Sequence, residues 1–250
     1  MMRRAGLLAM LLSLGILVPD HADGSEVRPF VDFEAGPAFP GYNDVRIPGD
    51  GGTTFSLTQQ LKAPVVPYFR VRAGVRIGRH EIFAFFGPVT IRPTGTVPYA
   101  VLFVDAVFPA NTFLAATWTF DTYRLTYRYS IVDNENWQVA VGATALVRVA
   151  SISLSGGGLY QVKNNVGVVP LLSFKVAWTF AGPWAILLDG DALAVPQGRA
   201  EDVFLGIRYR FGDAVSGRVG YRILEGGGDN SSVYNFALVN FLAFGFDVTL

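Results

Sequence analysis

No cysteine occurs among the 250 residues, which removes disulfides, thiolate chemistry and cysteine-ligated zinc or iron–sulfur centres together. Histidine is scarce, with His21 and His80 alone. Charged residues make up 16% of the chain and the formal net charge is zero. Soluble domains carry about a quarter charged residues. A balanced chain lacks the basic excess that nucleic acid demands, so no nucleic-acid partner is expected. Past the N-terminus there is no apolar run long enough for a spanning helix, which needs about 20 residues. Phosphate-loop, zinc-binding and nucleophile-elbow motifs are missing, Gly-x-Ser-x-Gly included, so no cofactor or metal is expected.

What is present is 51% hydrophobic and 14% aromatic, too apolar for a disordered chain. Arg3 and Arg4 precede Ala5–Val18, an uncharged run too short to span a bilayer but shaped like the core of a secretory signal. Ala22-Asp23-Gly24 offers a small-x-small cleavage site, so residues 1–24 are expected to be removed and 25–250 to form one domain. His80 is then the one histidine of the mature chain. An exported chain this apolar, without a helix to span a membrane, must place its apolar residues some other way.

The answer lies in a period of two. Trp137, Val139, Val141, Ala143, Ala145, Val147 and Val149 alternate with Gln138, Gly142, Thr144 and Arg148. Val166 to Phe180 alternates the same way against Ser173, Lys175 and Thr179, Val203 to Phe211 against Asp202, Arg208 and Arg210, and Tyr123 to Tyr129 against Arg124, Thr126 and Arg128. Successive side chains of a strand point to opposite faces, so these are strands with one apolar and one polar face. A soluble sandwich hides its apolar face, whereas an outer-membrane barrel turns that face to lipid and the polar one to its lumen. The alternating runs are longer than the 5–6 residues usual in soluble strands. Aromatics also bracket the short turns: Tyr127, Tyr129 and Trp137 about Asp133–Asn136, and Trp178, Phe180 and Trp184 about Ala181–Pro183. With Tyr209 and Phe211 these form the expected interfacial girdle.

The predicted fold is all-β: a single closed antiparallel up-and-down transmembrane β-barrel of about ten strands, with eight or twelve also compatible. The strands are placed at Arg28–Phe39, Val65–Gly78, Glu81–Thr94, Phe113–Ile131, Trp137–Leu154, Val166–Phe180, Trp184–Val195, Asp202–Phe211, Val215–Leu224 and Val233–Leu250. Val97–Thr112 reads as a hairpin or a folded loop. Trp118 and Phe120 share parity with Arg124, which predicts a bulge, or a rim position, near Asp121. Val45–Leu61, Ser155–Asn165, Pro196–Glu201 (with Gln197, Gly198 and Arg199) and Glu225–Ser232 are expected to be outer loops. The last, through Gly226-Gly227-Gly228-Asp229-Asn230, loosely suggests a calcium-friendly oxygen cluster but lacks EF-hand spacing.

The C-terminal strand alternates Tyr234, Phe236, Leu238, Leu242, Phe244, Phe246 and Val248 and ends at Leu250. It resembles the assembly signal of bacterial outer-membrane barrels, although those usually end in an aromatic residue. The resemblance implies the barrel assembly machinery and outer-membrane lipid as partners, with a monomer expected. Four further stretches are similar to a family of Gram-negative outer-membrane β-barrel proteins: Glu34-Ala-Gly-Pro with Asn43-Asp-Val-Arg-Ile-Pro-Gly, Tyr123-Arg-Leu-Thr-Tyr-Arg-Tyr, Pro196-Gln-Gly-Arg-Ala, and Tyr221-Arg with Leu224-Glu-Gly-Gly, Asp229-Asn and Val233-Tyr-Asn-Phe. This resemblance implies location and fold and supplies no mechanism.

Parity assigns the charges. Arg70, Arg72, Arg76, Arg124, Arg128, Arg148, Lys175, Arg208, Arg210, Arg218 and Arg222 should face the lumen, with Asp32, Glu34, Asp189, Asp191, Asp202 and Asp247. In a barrel barely wider than the eight-stranded kind, whose side chains just fill the bore, they should meet as a salt-bridged plug. The surplus of basic residues leaves a narrow, weakly anion-preferring channel, or a conduit for hydrophobic substrates, as the alternative. A lipid-modifying hydrolase on the outer face comes third. Outer-membrane barrel enzymes such as lipid A deacylases, palmitoyltransferases, phospholipases and omptin-type proteases use a histidine, whereas His80 falls in a turn on the predicted periplasmic side. Asp32/Glu34 and Asp189/Asp191 are spaced to share a face and could do acid–base work, but opposing arginines favour structural pairing. No catalytic residue is assigned.

Overall fold

The computed structural model describes residues 26–196 and 198–250. The leader expected over 1–24 and the loop residue Gln197 lie outside the described residues. Ten long strands make the wall. In chain order they are β1 (Val27–Arg46), β2 (Val66–Ile77), β3 (His80–Ile91), β4 (Phe113–Asp133), β5 (Trp137–Gly156), β6 (Leu159–Ala181), β7 (Trp184–Val195), β8 (Gly198–Arg210), β9 (Val215–Asp229) and β10 (Tyr234–Thr249). Each pairs antiparallel with the next, and β10 pairs with β1 from Thr249↔Phe30 to Tyr234↔Arg46, so the sheet closes. Closure follows from the solvent: in hydrocarbon no water satisfies an open edge.

The two faces sort as the alternation demands. Leu125 is 60% exposed and Val168 73% on the outside, while the side chains of Arg128 and Arg222 inside are each 2% exposed. A greasy exterior over a charged interior is the inverse of a soluble sandwich. The aromatic girdle lies at the end with short turns. Trp137 stacks on Trp178 at 5.8 Å, Trp178 meets Phe180 at 6.0 Å, and Tyr209 packs between Trp184 at 4.7 Å and Phe211 at 5.0 Å. Tyr127 and Tyr129 continue it, each against the His80 ring.

Several loop expectations are corrected. Ser155–Asn165 is mostly strand: Gly157 and Gly158, at φ of 59° and 79°, close a two-residue hairpin, and β6 begins at Leu159. Pro196–Glu201 and Glu225–Ser232 are likewise largely strand, since β8 starts at Gly198 and β9 continues to Asp229. The first strand does not stop at Phe39 but runs to Arg46, its register shifting between Pro40 and Tyr42. No bulge occurs at Asp121. The register of β4 against β5 shifts instead beside Val139/Ala140, and Trp118 and Phe120 simply stay inside, stacked at 5.6 Å.

The two connections that remain long, 47–65 and 92–112, fold into the outer mouth. Val101–Phe103 and Ala106–Phe108 form a hairpin, Phe55–Ser56 pairs with β1, and Leu61–Lys62 pairs with Thr94–Gly95. Val104 N donates to Ile47 O at 2.9 Å and Thr53 N to Leu102 O at 3.0 Å, tying the loops together. Phe55, Leu57, Leu61, Phe103 and Phe108 are buried with Leu114, Trp118 and Leu154 of the wall. This cap covers the β1–β4 side. Opposite it, β6–β8 carry no long loop.

Leu125→Arg places a cation in the middle of the apolar exterior. Equilibrium unfolding in phospholipid vesicles is expected to show a loss of about 2–4 kcal/mol. An unchanged stability would mean that this face meets water.

Candidate functional site

Register builds the interior. Arg72, Arg124 and Arg222 each lie directly across from a phenylalanine on the next strand, Phe85 or Phe204, with the guanidinium over that ring at 6.0, 4.5 and 5.4 Å. Arg128 lies over Phe83 at 5.2 Å and Arg76 over Phe30 at 3.9 Å. The rings hold the flat cations in place while their edges reach carboxylates.

Those carboxylates form two layers. In the outer layer Asp202 accepts from Arg70 at 2.5 Å, Arg124 at 2.5 Å and Arg222 at 2.7 Å. Arg124 also donates to Asp191 at 2.8 Å, Arg222 to Glu34 at 2.7 Å, and Arg218 to both Glu34 and Asp32. In the inner layer Asp189 accepts from Arg72 and Arg128, both at 2.7 Å, and Arg76 bonds Asp247 at 2.8 Å and Glu81 at 3.0 Å. Four arginines therefore meet four carboxylates in one layer, and three meet three in the other. Hydroxyls fill in: Ser173 accepts from Arg128 at 2.8 Å, and Thr144 donates to Asp191 at 2.8 Å. Gly245 leaves room for Arg218, whose Cζ would lie 2.7 Å from a Cβ there.

These bonds cross the bore. Arg72 on β2 and Asp189 on β7 are five strands apart in a ring of ten, and Arg70 and Asp202 are four apart. Above and below remain two vestibules. The inner one, about 230 Å³, is lined by Lys175, Arg208, Arg210, Asp247 and the inner layer. The outer one, about 350 Å³, is mostly apolar and lies between the cap and β5–β9, with Arg124 and Asp202 among its lining residues.

The structure brings together Asp32, Glu34, Arg70, Arg72, Arg76, Arg124, Arg128, Asp189, Asp191, Asp202, Arg218, Arg222 and Asp247. Arg148, Lys175 and Arg208 face inward without an ion pair among the described residues, and the Nε atoms of Arg148 and Arg208 are buried without a partner. Arg210 keeps the inward parity and lines the inner vestibule, but it is exposed at the mouth, where β8 ends. Sequence parity missed Glu81, Phe30, Phe83, Phe85, Phe204 and Phe241. Glu81-Ile-Phe-Ala-Phe-Phe is apolar on both faces, so it carried no signal of which face was in. The calcium-friendly reading of 226–230 is set aside, since no group of three metal-ligating side chains occurs among the described residues. Glu225 instead pairs with Arg199 at 2.7 Å and with Tyr42 on the outer rim, and Asp229 with Arg46 at 3.6 Å. His80 Nδ1 lies 2.9 Å from the Tyr127 hydroxyl, in the girdle.

No family model matches the chain, and no curated protein matches it. Solved barrels do. The outer membrane protease OmpT from Escherichia coli aligns with a TM-score of 0.52 at 9% identity, over 89% of this chain and 97% of that one. The transport unit of the autotransporter AIDA-I from Escherichia coli gives 0.48 at 8%, over 97% of each, and Neisserial surface protein A gives 0.35 at 14%, over 89% and 97%. The likeness to OmpT shows a shared fold alone. This chain is a ten-stranded barrel of the outer-membrane kind.

Asp202→Asn leaves three buried guanidinium groups short of one charge, and unfolding in vesicles is expected to show a loss of about 3–5 kcal/mol. Lys175→Gln removes a cation that makes no direct ion pair, though it lies near Glu81 and across from Asp189, and its loss should be well below that of Asp202→Asn. Equal losses from the two would contradict the division into paired and surplus cations.

Proposed function

We propose that the protein is exported to the outer membrane of a Gram-negative bacterium and acts there as a monomeric barrel with a blocked bore, working by binding at its outer face. The observation that carries this reading is the Arg72–Asp189 bond across the full width of the ring, with the Arg70–Asp202–Arg124 bonds above it. A solute crossing the barrel would have to part both layers, stranding buried charges at several kcal/mol each. The ordered cap supports an outer-face role, since loops on a rigid wall are where binding residues gather.

A second reading, a narrow anion-preferring passage, is favoured by Arg148 on the outer side and Lys175, Arg208 and Arg210 on the inner side, cations left over from the plug. A catalytic role is not proposed. Asp32, Glu34, Asp189 and Asp191 each serve an arginine, and His80 belongs to the girdle.

Single-channel recording in planar bilayers separates the two. The plugged reading expects no stable conductance from the wild-type protein and openings in the double variant Arg72→Ala/Asp189→Ala. A steady, anion-selective conductance from the wild type would establish the passage instead.

A further inference from the structure

The barrel wall opens early at two seams: β2 and β3 stop pairing at Val71↔Phe86, on the side the cap covers, and the seam between β6 and β7 has no loop over it. β6 and β7 pair from Ala181↔Trp184 only as far as Leu172↔Ala192. Beyond that point β7 stays with β8 to Val195, while β6 runs on to Leu159 paired with β5 alone. Pro170, which has no N–H to offer a neighbour, lies on this free edge, where proline is tolerated. Ala192 is eight residues beyond Trp184. At about 3.3 Å per residue and a tilt of roughly 40°, the slot opens about 20 Å above the girdle, in the outermost part of an apolar band about 25 Å tall.

The slot leads into the outer vestibule. Val169 and Leu171 line it from β6, Leu193 and Val195 from β7, with Leu146 beside them on β5. A volume of about 350 Å³ lined mainly by apolar atoms falls in the range of small-molecule sites. Two of its lining cations, Arg148 and Lys163, meet no carboxylate among the described residues, and Lys163 donates to Ser232 Oγ at 2.7 Å, which leaves Arg148 as the cation with no polar partner. Arg148 makes no ion pair or side-chain hydrogen bond among the described residues, and its buried Nε is unpartnered. It lies opposite Gly167, where a Cβ would come within 2.9 Å of that Nε, so the glycine gives the side chain its space. Arg148 is outward along the barrel from Val169 and Leu171, so a charged head held there would leave a chain lying down the slot toward hydrocarbon.

We propose that the outer vestibule binds an anionic single-chain amphiphile, with its head on Arg148 and its chain against Leu146, Val169, Leu171 and Leu193. Arg148 is half-buried and unpaired, so an anionic head gains a charge-assisted bond there that a neutral head lacks. The apolar slot beneath it favours a hydrocarbon chain over a water-soluble anion. This names the ligand class for the outer-face binding proposed above and rests on that reading. A conducting wild-type barrel would overturn that reading, whereas binding addresses the ligand alone.

The test is native mass spectrometry of the folded barrel released from a neutral detergent, titrated separately with palmitate, hexadecyl phosphate and hexadecanol. Retention of the compact form on unheated gels serves as the fold control. A saturable one-to-one complex is expected with either anion, at least tenfold tighter than with hexadecanol. Arg148→Gln should bring the anions to the level of hexadecanol. Leu193→Trp, or Leu171→Trp should the first fail to fold, should abolish binding by filling the slot. The proposal is overturned by hexadecanol binding as tightly as the anions, by Arg148→Gln without effect, by unchanged binding to a folded slot-filled variant, or by no saturable binding to the folded wild type. Palmitate bound without hexadecyl phosphate, or the reverse, with the same dependence on Arg148, supports it and identifies the head.

Discussion

A strand that crosses hydrocarbon has no face for water, so every charge it carries must be met inside the ring. This constraint shapes the whole molecule. An uncompensated cation costs several kcal/mol in such a place, and the bore is narrow enough for side chains from opposite walls to touch. Arg72 therefore reaches Asp189 across the full ring, and Asp202 serves three guanidinium groups at once. Phenylalanines set by the register back the arginines, so the interior is a lattice of rings, cations and carboxylates. Neutrality is reached layer by layer, and the cations left over lie toward the two mouths.

The same constraint accounts for the lopsided outer half. Where 47–65 and 92–112 fold inward, Phe55, Leu57, Phe103 and Phe108 fill the bore and it needs no charge. Beside β6–β8 the connections are too short to reach across, and an apolar hollow is left with Arg148 in it. The incomplete seam between β6 and β7 is the outer wall of that hollow. Backbone left unpaired near membrane depth is tolerated where it borders a cavity, so seam and vestibule form one feature.

Much of this was legible in the sequence, and the reasons differ by element. β5 alternated cleanly over Trp137–Leu154, and its starting residue and inward set follow from that pattern alone. The alternation puts β7 at Trp184–Val195, where it lies. The seven arginines of the two charge layers fall inside by parity, with Arg148 and Arg208 beyond them, because an exterior position would cost each of them dearly. Glu81 escaped because Phe83 and Phe85 share its face, and a strand apolar on both sides gives no sense of direction. Glycine misleads in the loops, where it marks tight turns and not slack chain. Gly157-Gly158 is a tight turn that lets β5 and β6 rise well past the apolar band. Trp118 and Phe120 suggested a break in register, yet they point inward because the cap above the charge layers is itself apolar. Which loops cap and which stay short depends on long-range packing that no local pattern encodes.

The central claim is that the apolar row of each strand faces lipid and the other row faces the ring's interior. Because the chain has no cysteine, single nitroxide labels can be walked along β5 from Val139 to Ala150 in reconstituted bilayers. The account predicts high oxygen accessibility at Val139, Val141, Ala143, Ala145 and Val147 and low accessibility at Ala140, Leu146 and Ala150. A flat profile, or one with the two rows exchanged, would contradict it.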